Sequence, residues 1–191
     1  MKKQLTVALL FTIVTTILFG VLYPLAVTGL SSLLFTDKAQ GSLIVRNGQV
    51  VGSKLIGQQF SADKYFHSRL SFAGTGYDAA SSSPSNLGPT NQQLIDRVKQ
   101  DVGKLRQENP TAAIPGDLVT ASGSGLDPDI SPAAAEFQVP RIARTRNITP
   151  GALRQLIVKH TEPRQWGIFG EPRVHVLELN LDLDAITQAT K

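Results

Sequence analysis

The chain has 191 residues, 41% of them apolar, with 19 Lys and Arg against 15 Asp and Glu and no cysteine. That length holds one domain with a real core, and a net charge of +4 is too small to point to nucleic acid binding. All 15 acids and 17 of the 19 bases lie beyond residue 36, which leaves that part at only ~+2. The lack of cysteine is compatible with an oxidising exterior.

The first predicted element is an uncharged run from Leu5 to Thr36, preceded by Lys2 and Lys3 and closed by Asp37. A helix rises ~1.5 Å per residue and the hydrocarbon core is ~30 Å thick, so ~20 apolar residues span it. Leu5 to Pro24 alone meets that length. A cleaved signal peptide has a shorter apolar core, and a buried core helix is seldom so uniformly uncharged. The run therefore reads as a membrane anchor. Lys2, Lys3 and the amino terminus place the N-terminus in the cytoplasm, with Lys38 and Arg46 on the other flank. Ala8, Thr12, Thr16, Gly20, Pro24, Thr28 and Ser32 recur at every fourth position. Small residues at that spacing admit a second helix closely, which marks Ala8, Thr12, Thr16 and Gly20 as a membrane packing face.

Beyond the anchor, Leu43–Arg46 and Gln49–Val51 flank Asn47-Gly48, the signature of a type I′ hairpin. Arg69 to Asn91 is a long stretch of small polar residues with Gly74, Gly76, Ser81 to Ser83, Pro84, Gly88 and Pro89, either functional or disordered. From Asn91 to Asn109, Leu94, Ile95, Val98, Val102 and Leu105 follow helical spacing; the stripe predicts core packing, with Thr90 or Asn91 as cap and Pro110 as stop. Ile114 to Thr120 reads as a short strand. Ser131-Pro132 opens a helix that Pro140 kinks or divides, and Thr149-Pro150 opens another. The C-terminal segment alternates Val174, Val176, Leu179, Leu181 and Leu183 with polar residues, which predicts a strand with a bulge at Leu177. The basic residues Arg141, Arg144, Arg146, Arg154, Lys159, Arg164 and Arg173 read as a solvated face or as ion pairs with other segments. The fold class is α+β: a single N-terminal transmembrane helix over 1–36, followed by one compact mixed α/β extracytoplasmic domain over 37–191.

Little of this carries chemistry. Ser122-Gly123-Ser124-Gly125 lacks the Gly-Lys-Ser/Thr ending of a phosphate loop, and Ala121 spoils a Gly-x-Ser-x-Gly elbow. His67, His160 and His175 stand singly, and Asp127-Pro128-Asp129 lacks the other ligands of a calcium loop, so no catalytic residue and no metal ligand is assigned. Asp127 reads as a turn residue bonding nearby amides. The alternative from another class is a membrane-anchored extracytoplasmic serine hydrolase using Ser122 or Ser124.

A series of segments runs through the chain in order: Tyr23-Pro24-Leu25, Gly41-Ser42-Leu43-Ile44, Gly52-Ser53, Leu55-Ile56-Gly57-Gln58, Tyr65-Phe66, Ser85-Asn86-Leu87-Gly88-Pro89-Thr90-Asn91, the block from Thr120 to Ser131, Gln138-Val139-Pro140-Arg141 and Gly170-Glu171-Pro172-Arg173-Val174. Together they resemble the KdpC family, the C subunit of the bacterial Kdp potassium-transporting P-type ATPase. Leu70, Ser83-Pro84, Asp129 and His175 depart from the family pattern. The resemblance implies an accessory, non-catalytic subunit of an ATP-driven potassium importer in the bacterial cytoplasmic membrane, needed for assembly. Its implied partners are a potassium-binding, channel-like subunit, an ATP-hydrolysing P-type subunit and membrane lipid. It also implies a catalytic-chaperone role, raising the pump subunit's affinity for ATP. ATP and Mg would be used by that pump subunit, with no intrinsic cofactor here beyond a transient ATP contact. Ser85, Asn86, Leu87, Gly88, Ser122, Gly123, Ser124, Gly125 and Asp127 are the implied partner contacts.

Overall fold

A computed structural model describes residues 1–189, so the last two residues of the expected 37–191 domain lie outside the described residues. The chain divides into two compact units, Met1–Val50 and Val51–Lys191, with the boundary inside a strand.

The first unit begins with the helix Lys2–Leu34, the one helix among the described residues long and apolar enough to cross a membrane. It comprises α1 (Lys2–Thr15), a π-helical segment (Thr16–Leu22) and α2 (Tyr23–Leu34). Pro24 has no N–H to give, and its ring would crowd the carbonyl of Gly20 in a regular α-turn; the wider turns just before it relieve that crowding. Thr15 donates its hydroxyl back to the carbonyls of Phe11 (2.8 Å) and Thr12 (3.1 Å), which keeps a polar group satisfied along an apolar helix. After the short α3 (Thr36–Ala39), β1 (Leu43–Arg46) and β2 (Gln49–Ser53) form the expected hairpin. Asn47 (φ 52°) and Gly48 (φ 77°) supply its two positive φ angles.

The second unit is built on α5 (Pro132–Arg146), α6 (Pro150–Lys159) and α7 (Val176–Ala189), packed with a three-stranded antiparallel sheet of order β3-β5-β4. Its strands are β3 (Asp129–Ile130), β4 (Thr161–Glu162) and β5 (Arg173–His175), with Val174 opposite both Ile130 and Thr161. Ser131 caps α5 through the Ala134 N–H (3.0 Å), and Thr149 caps α6 through Ala152 (3.3 Å). The core joins Phe66, Ile130, Ala134, Val139, Ile142, Leu153, Val174, Leu179 and Leu183. Burying a large aliphatic side chain completely contributes ~1.5–3 kcal/mol, so this cluster dominates the unit's stability.

Three expectations are corrected, and one is narrowed. The C-terminal strand ends at His175 and α7 follows, because Val176, Leu179, Asn180 and Leu183 fall on one helical face, all buried. The polar Asn180 on that face, and leucines at every second position, imitate a strand pattern. Ile114 to Thr120 holds a 3₁₀ turn at Gly116–Leu118 instead of a strand; Asp117 there accepts from Ser131 N–H (2.7 Å) and hydroxyl (3.1 Å). Of the two outcomes expected at Pro140, division is not seen: α5 runs unbroken from Pro132 to Arg146. Its missing N–H falls opposite the carbonyl of Glu136, and both residues are exposed. Finally, α4 (Gln92–Glu108), capped by Asn91 onto Gln93 N–H (2.8 Å), has no buried residue. Its stripe of Leu94, Ile95, Val98, Val102 and Leu105 is half-buried and lies outside the core cluster.

Candidate functional site

The irregular stretch between β2 and α4 is ordered by side chains from elsewhere. Gln138 of α5 and Asn180 of α7, both buried, meet the backbone of two consecutive residues. Phe66 N–H donates to Asn180 Oδ1 (2.9 Å), and Asn180 Nδ2 donates to the Phe66 carbonyl (2.9 Å). His67 N–H donates to Gln138 Oε1 (2.8 Å), and Gln138 Nε2 donates to the His67 carbonyl (3.1 Å). The buried Arg141 donates to the carbonyls of Asp63 and Tyr65, to Gln138 Oε1 (2.7 Å) and to Glu108 (2.8 Å). Arg146 holds the Lys64 carbonyl (2.6 Å) and Asp184 (2.7 Å) and stands over the Tyr65 ring. A loop without ladder partners thus has its polar groups satisfied, as burial requires. The same arrangement brings together two segments of the family resemblance, Tyr65-Phe66 and Gln138 to Arg141.

The serine-rich loop closes on the Ser122–Asp127 turn. Arg69 donates to Asp127 (2.8 Å) and to the Ala121 carbonyl (3.3 Å). The Ser71 hydroxyl donates to the Gly125 carbonyl and accepts from Tyr77 N–H (2.8 Å). Ser83 N–H (3.1 Å) and the Ser82 hydroxyl (2.8 Å) both donate to the Ser124 carbonyl. Gly125 sits at φ +68°, and a Cβ there would stand 2.6 Å from the Ser83 carbonyl oxygen and 2.8 Å from the Ala73 nitrogen. Only glycine fits this crossing of two loops. Asp127 also accepts from Asp129 N–H (3.0 Å), the expected turn bond. Of the predicted contacts, Ser122 and Gly125 are buried, while Gly123 and Ser124 are exposed. Ser85 and Leu87 are half-buried, and Asn86 (φ 53°) and Gly88 are exposed in the approach to α4. A cavity of about 530 Å³ lies beside this knot, lined among others by Phe60, Arg69, Tyr77, Leu105 and Glu108. Burial holds the Tyr77 phenol above its ordinary pKa, and burial together with Arg141 holds His67 below its own.

No serine–histidine pair is assembled among the described residues. Ser124 Oγ accepts from Leu126 N–H (3.1 Å); His67 Nε2 meets the Ala62 carbonyl, His160 meets Asp182, and His175 bonds the Lys54 carbonyl through Nε2. The described residues also hold no cluster of three metal-ligating side chains. The basic residues are largely ion-paired: Arg141–Glu108, Arg146–Asp184, Arg154–Glu136, Lys159–Asp182, Arg164–Glu171 and Arg173 with Asp129 and Glu162.

One surface escaped the sequence reading. Between β4 and β5 a hairpin turns at Gln165 to Phe169 and carries Trp166 88%, Ile168 72% and Phe169 58% exposed. The ion pair Arg164–Glu171 (2.7 Å) ties its stem. Three large apolar side chains clustered at a tip form an exposed apolar patch. The signal in sequence was Trp166, Ile168 and Phe169, interrupted by Gly167 and followed by Gly170, within an otherwise mostly polar stretch from Thr161 to Arg173.

On the long helix, Ala8, Thr12, Thr16 and Gly20 are all exposed, and a Cβ at Gly20 would meet only Thr16 Cγ2, at 3.7 Å. A four-residue stripe drifts forward on an α-helix; a π-turn holds more than four residues, so the drift reverses over Thr16–Leu22 and the stripe stays nearer one side.

Fold and surfaces define a one-span membrane-protein type with a small α+β domain and an exposed apolar tip. The family model described as KdpC, K+-transporting ATPase, c chain, matches residues 5–185, and the chain belongs to that family. Among its relatives is a Koribacter versatilis protein named potassium-transporting ATPase KdpC subunit, 58% identical over 96% of this chain and 95% of its own. Proteins of the same name from Acidobacterium capsulatum (56% identity; 95% and 98% coverage) and Rhodopseudomonas palustris (54%; 98% and 100%) are also similar.

Proposed function

We propose that this chain is the accessory subunit of an ATP-driven potassium import complex of the bacterial cytoplasmic membrane, and that it acts by holding the complex together. The match along residues 5–185 to the K+-transporting ATPase c chain carries the reading. The partners are a potassium-binding, channel-like subunit and an ATP-hydrolysing P-type subunit. The N-terminus with Lys2 and Lys3 lies in the cytoplasm, and the domain lies outside, capping the potassium-conducting subunit. In this reading ATP and Mg belong to the pump subunit, and the chain itself is not an enzyme. The serine-rich loop supports a structural role: Ser71, Ser82 and Ser83 are engaged with the Ser124–Gly125 backbone, and Arg69 with Asp127. Raising the pump's affinity for ATP would then follow from assembly rather than from nucleotide contact.

Two experiments test this. The tagged chain should co-purify with two large membrane subunits; recovery of the chain alone under mild detergent would overturn complex membership. Ser82→Cys gives a single thiol in a chain without cysteine, at an exposed position. A membrane-impermeant thiol reagent should label it on intact cells, and labelling only after lysis would put the domain on the wrong side.

A further inference from the structure

The middle of the long helix carries a main-chain carbonyl for which neither an α- nor a π-turn supplies an N–H. Two main-chain N–H positions could reach the carbonyl of Phe19 in an α- or π-turn, those of residues 23 and 24. Tyr23 gives its N–H to Leu18, and residue 24 is proline. Side-chain rescue from within the helix needs a serine or threonine three or four residues on, and residues 22 and 23 are leucine and tyrosine. Phe19 lies 17 residues from Lys2 and 18 from Asp37, which is ~25 Å of helix from either charged flank. With the ~30 Å hydrocarbon core centred on the uncharged run, Phe19 lies near the midplane, away from water and headgroups. An unpaired carbonyl in hydrocarbon carries a large penalty, relieved in membrane proteins by donors from neighbouring helices. The next residue is Gly20, where nothing but Thr16 Cγ2 approaches the missing side chain.

We propose that the Phe19 carbonyl is the acceptor for a side-chain donor on a membrane helix of another subunit, a Ser, Thr, Asn or Gln that enters over Gly20. The proposal rests on the complex membership argued above and deepens it, by giving the partner helix a chemistry and a depth. The π-turn, Pro24 and Gly20 then form one device: proline removes a donor, the wide turn presents the freed carbonyl, and glycine opens the path to it.

The test places a ¹³C=¹⁸O label on the Phe19 carbonyl of the full chain and follows its amide I band, first for the chain alone in phosphatidylcholine vesicles, then in the assembled complex. Assembly should move the band to lower frequency, as a carbonyl does on accepting a hydrogen bond. An unchanged band overturns the proposal. A band already low in the chain alone overturns it too, because water or a second copy is then the donor. Pro24→Ala restores the helical N–H and should give a low band before and after assembly; a band as high as that of the unsubstituted chain alone would show that proline is not the cause, and the proposal fails. If the labelled chain never joins partner subunits, it is the complex membership that falls.

Discussion

The carboxamide of Asn180 holds both the N–H and the carbonyl of Phe66, each at 2.9 Å, across 114 residues of sequence. Phe66 is wholly buried at the centre of the core, so the bonds that satisfy its backbone come from one side chain instead of a neighbouring strand.

Asn180→Leu keeps the branched side-chain shape, replaces the carboxamide by two methyl groups and strands both Phe66 groups. Each buried, unsatisfied group costs ~1–3 kcal/mol, so a loss of ~2–4 kcal/mol is expected in urea unfolding of the full chain in detergent micelles. A loss below ~1 kcal/mol would mean that Phe66 finds other partners.

Gly125→Ala sets a methyl against the Ser83 carbonyl and the Ala73 nitrogen at a positive φ. The Arg69–Gly88 loop should detach locally while the helical core stays folded. Amide exchange should speed up ~10-fold or more at Ser83 and Tyr77, with Leu153 and Leu179 unaffected.

His67 predicts a pH dependence. Burial first, and Arg141 second, hold its folded pKa below the ordinary ~6.5, against weaker opposing effects of the Ala62 carbonyl, Glu108 and Asp63. As pH falls below ~6.5 the unfolded chain takes up a proton that the folded chain refuses, so stability declines until the folded pKa is reached. Its slope is at most ~1.4 kcal/mol per pH unit for one such group. Denaturation midpoints between about pH 7 and 5.5 should fall more steeply for the natural chain than for His67→Gln, in which that group no longer titrates.

Trp166 is the chain's single tryptophan and is 88% exposed. Emission from the isolated chain in detergent should therefore match a water-exposed indole and be quenched freely by iodide. If the hairpin tip is a partner contact, Trp166→Ser should reduce recovery of the other subunits ~10-fold or more, as central aromatic anchors commonly do, and unchanged recovery removes the tip from the interface.

Much of the local structure was legible from short-range chemistry. Asn47-Gly48 set the hairpin, Asn91, Ser131 and Thr149 set the helix starts, and the uncharged run from Leu5 set the long helix. These signals act within one or two turns of chain, where sequence spacing is physical spacing. The π-turn was not legible, although Pro24 hinted at it. α7 was hidden because leucines at 177, 179, 181 and 183 satisfy both periods, and the deciding residue, Asn180, is polar. The closure of the Ser71–Ser83 loop on Ser124 and Gly125 could not be read either, since it depends on bonds between residues 41 or more apart. Ion pairing of the basic residues was expected in kind, while the partners Glu108 and Asp184 emerge only from the packing.

The long-range clamp on Phe66 has a consequence during synthesis. The ribosome finishes the segment around Tyr65 and Phe66 more than a hundred residues before it makes Asn180. Gln138 and Arg141 come earlier, so a chain made only as far as α5 can hold His67 but not Phe66. The segment therefore closes last, when α7 arrives, and a chain truncated before Asn180 leaves an unclosed loop for proteases to find.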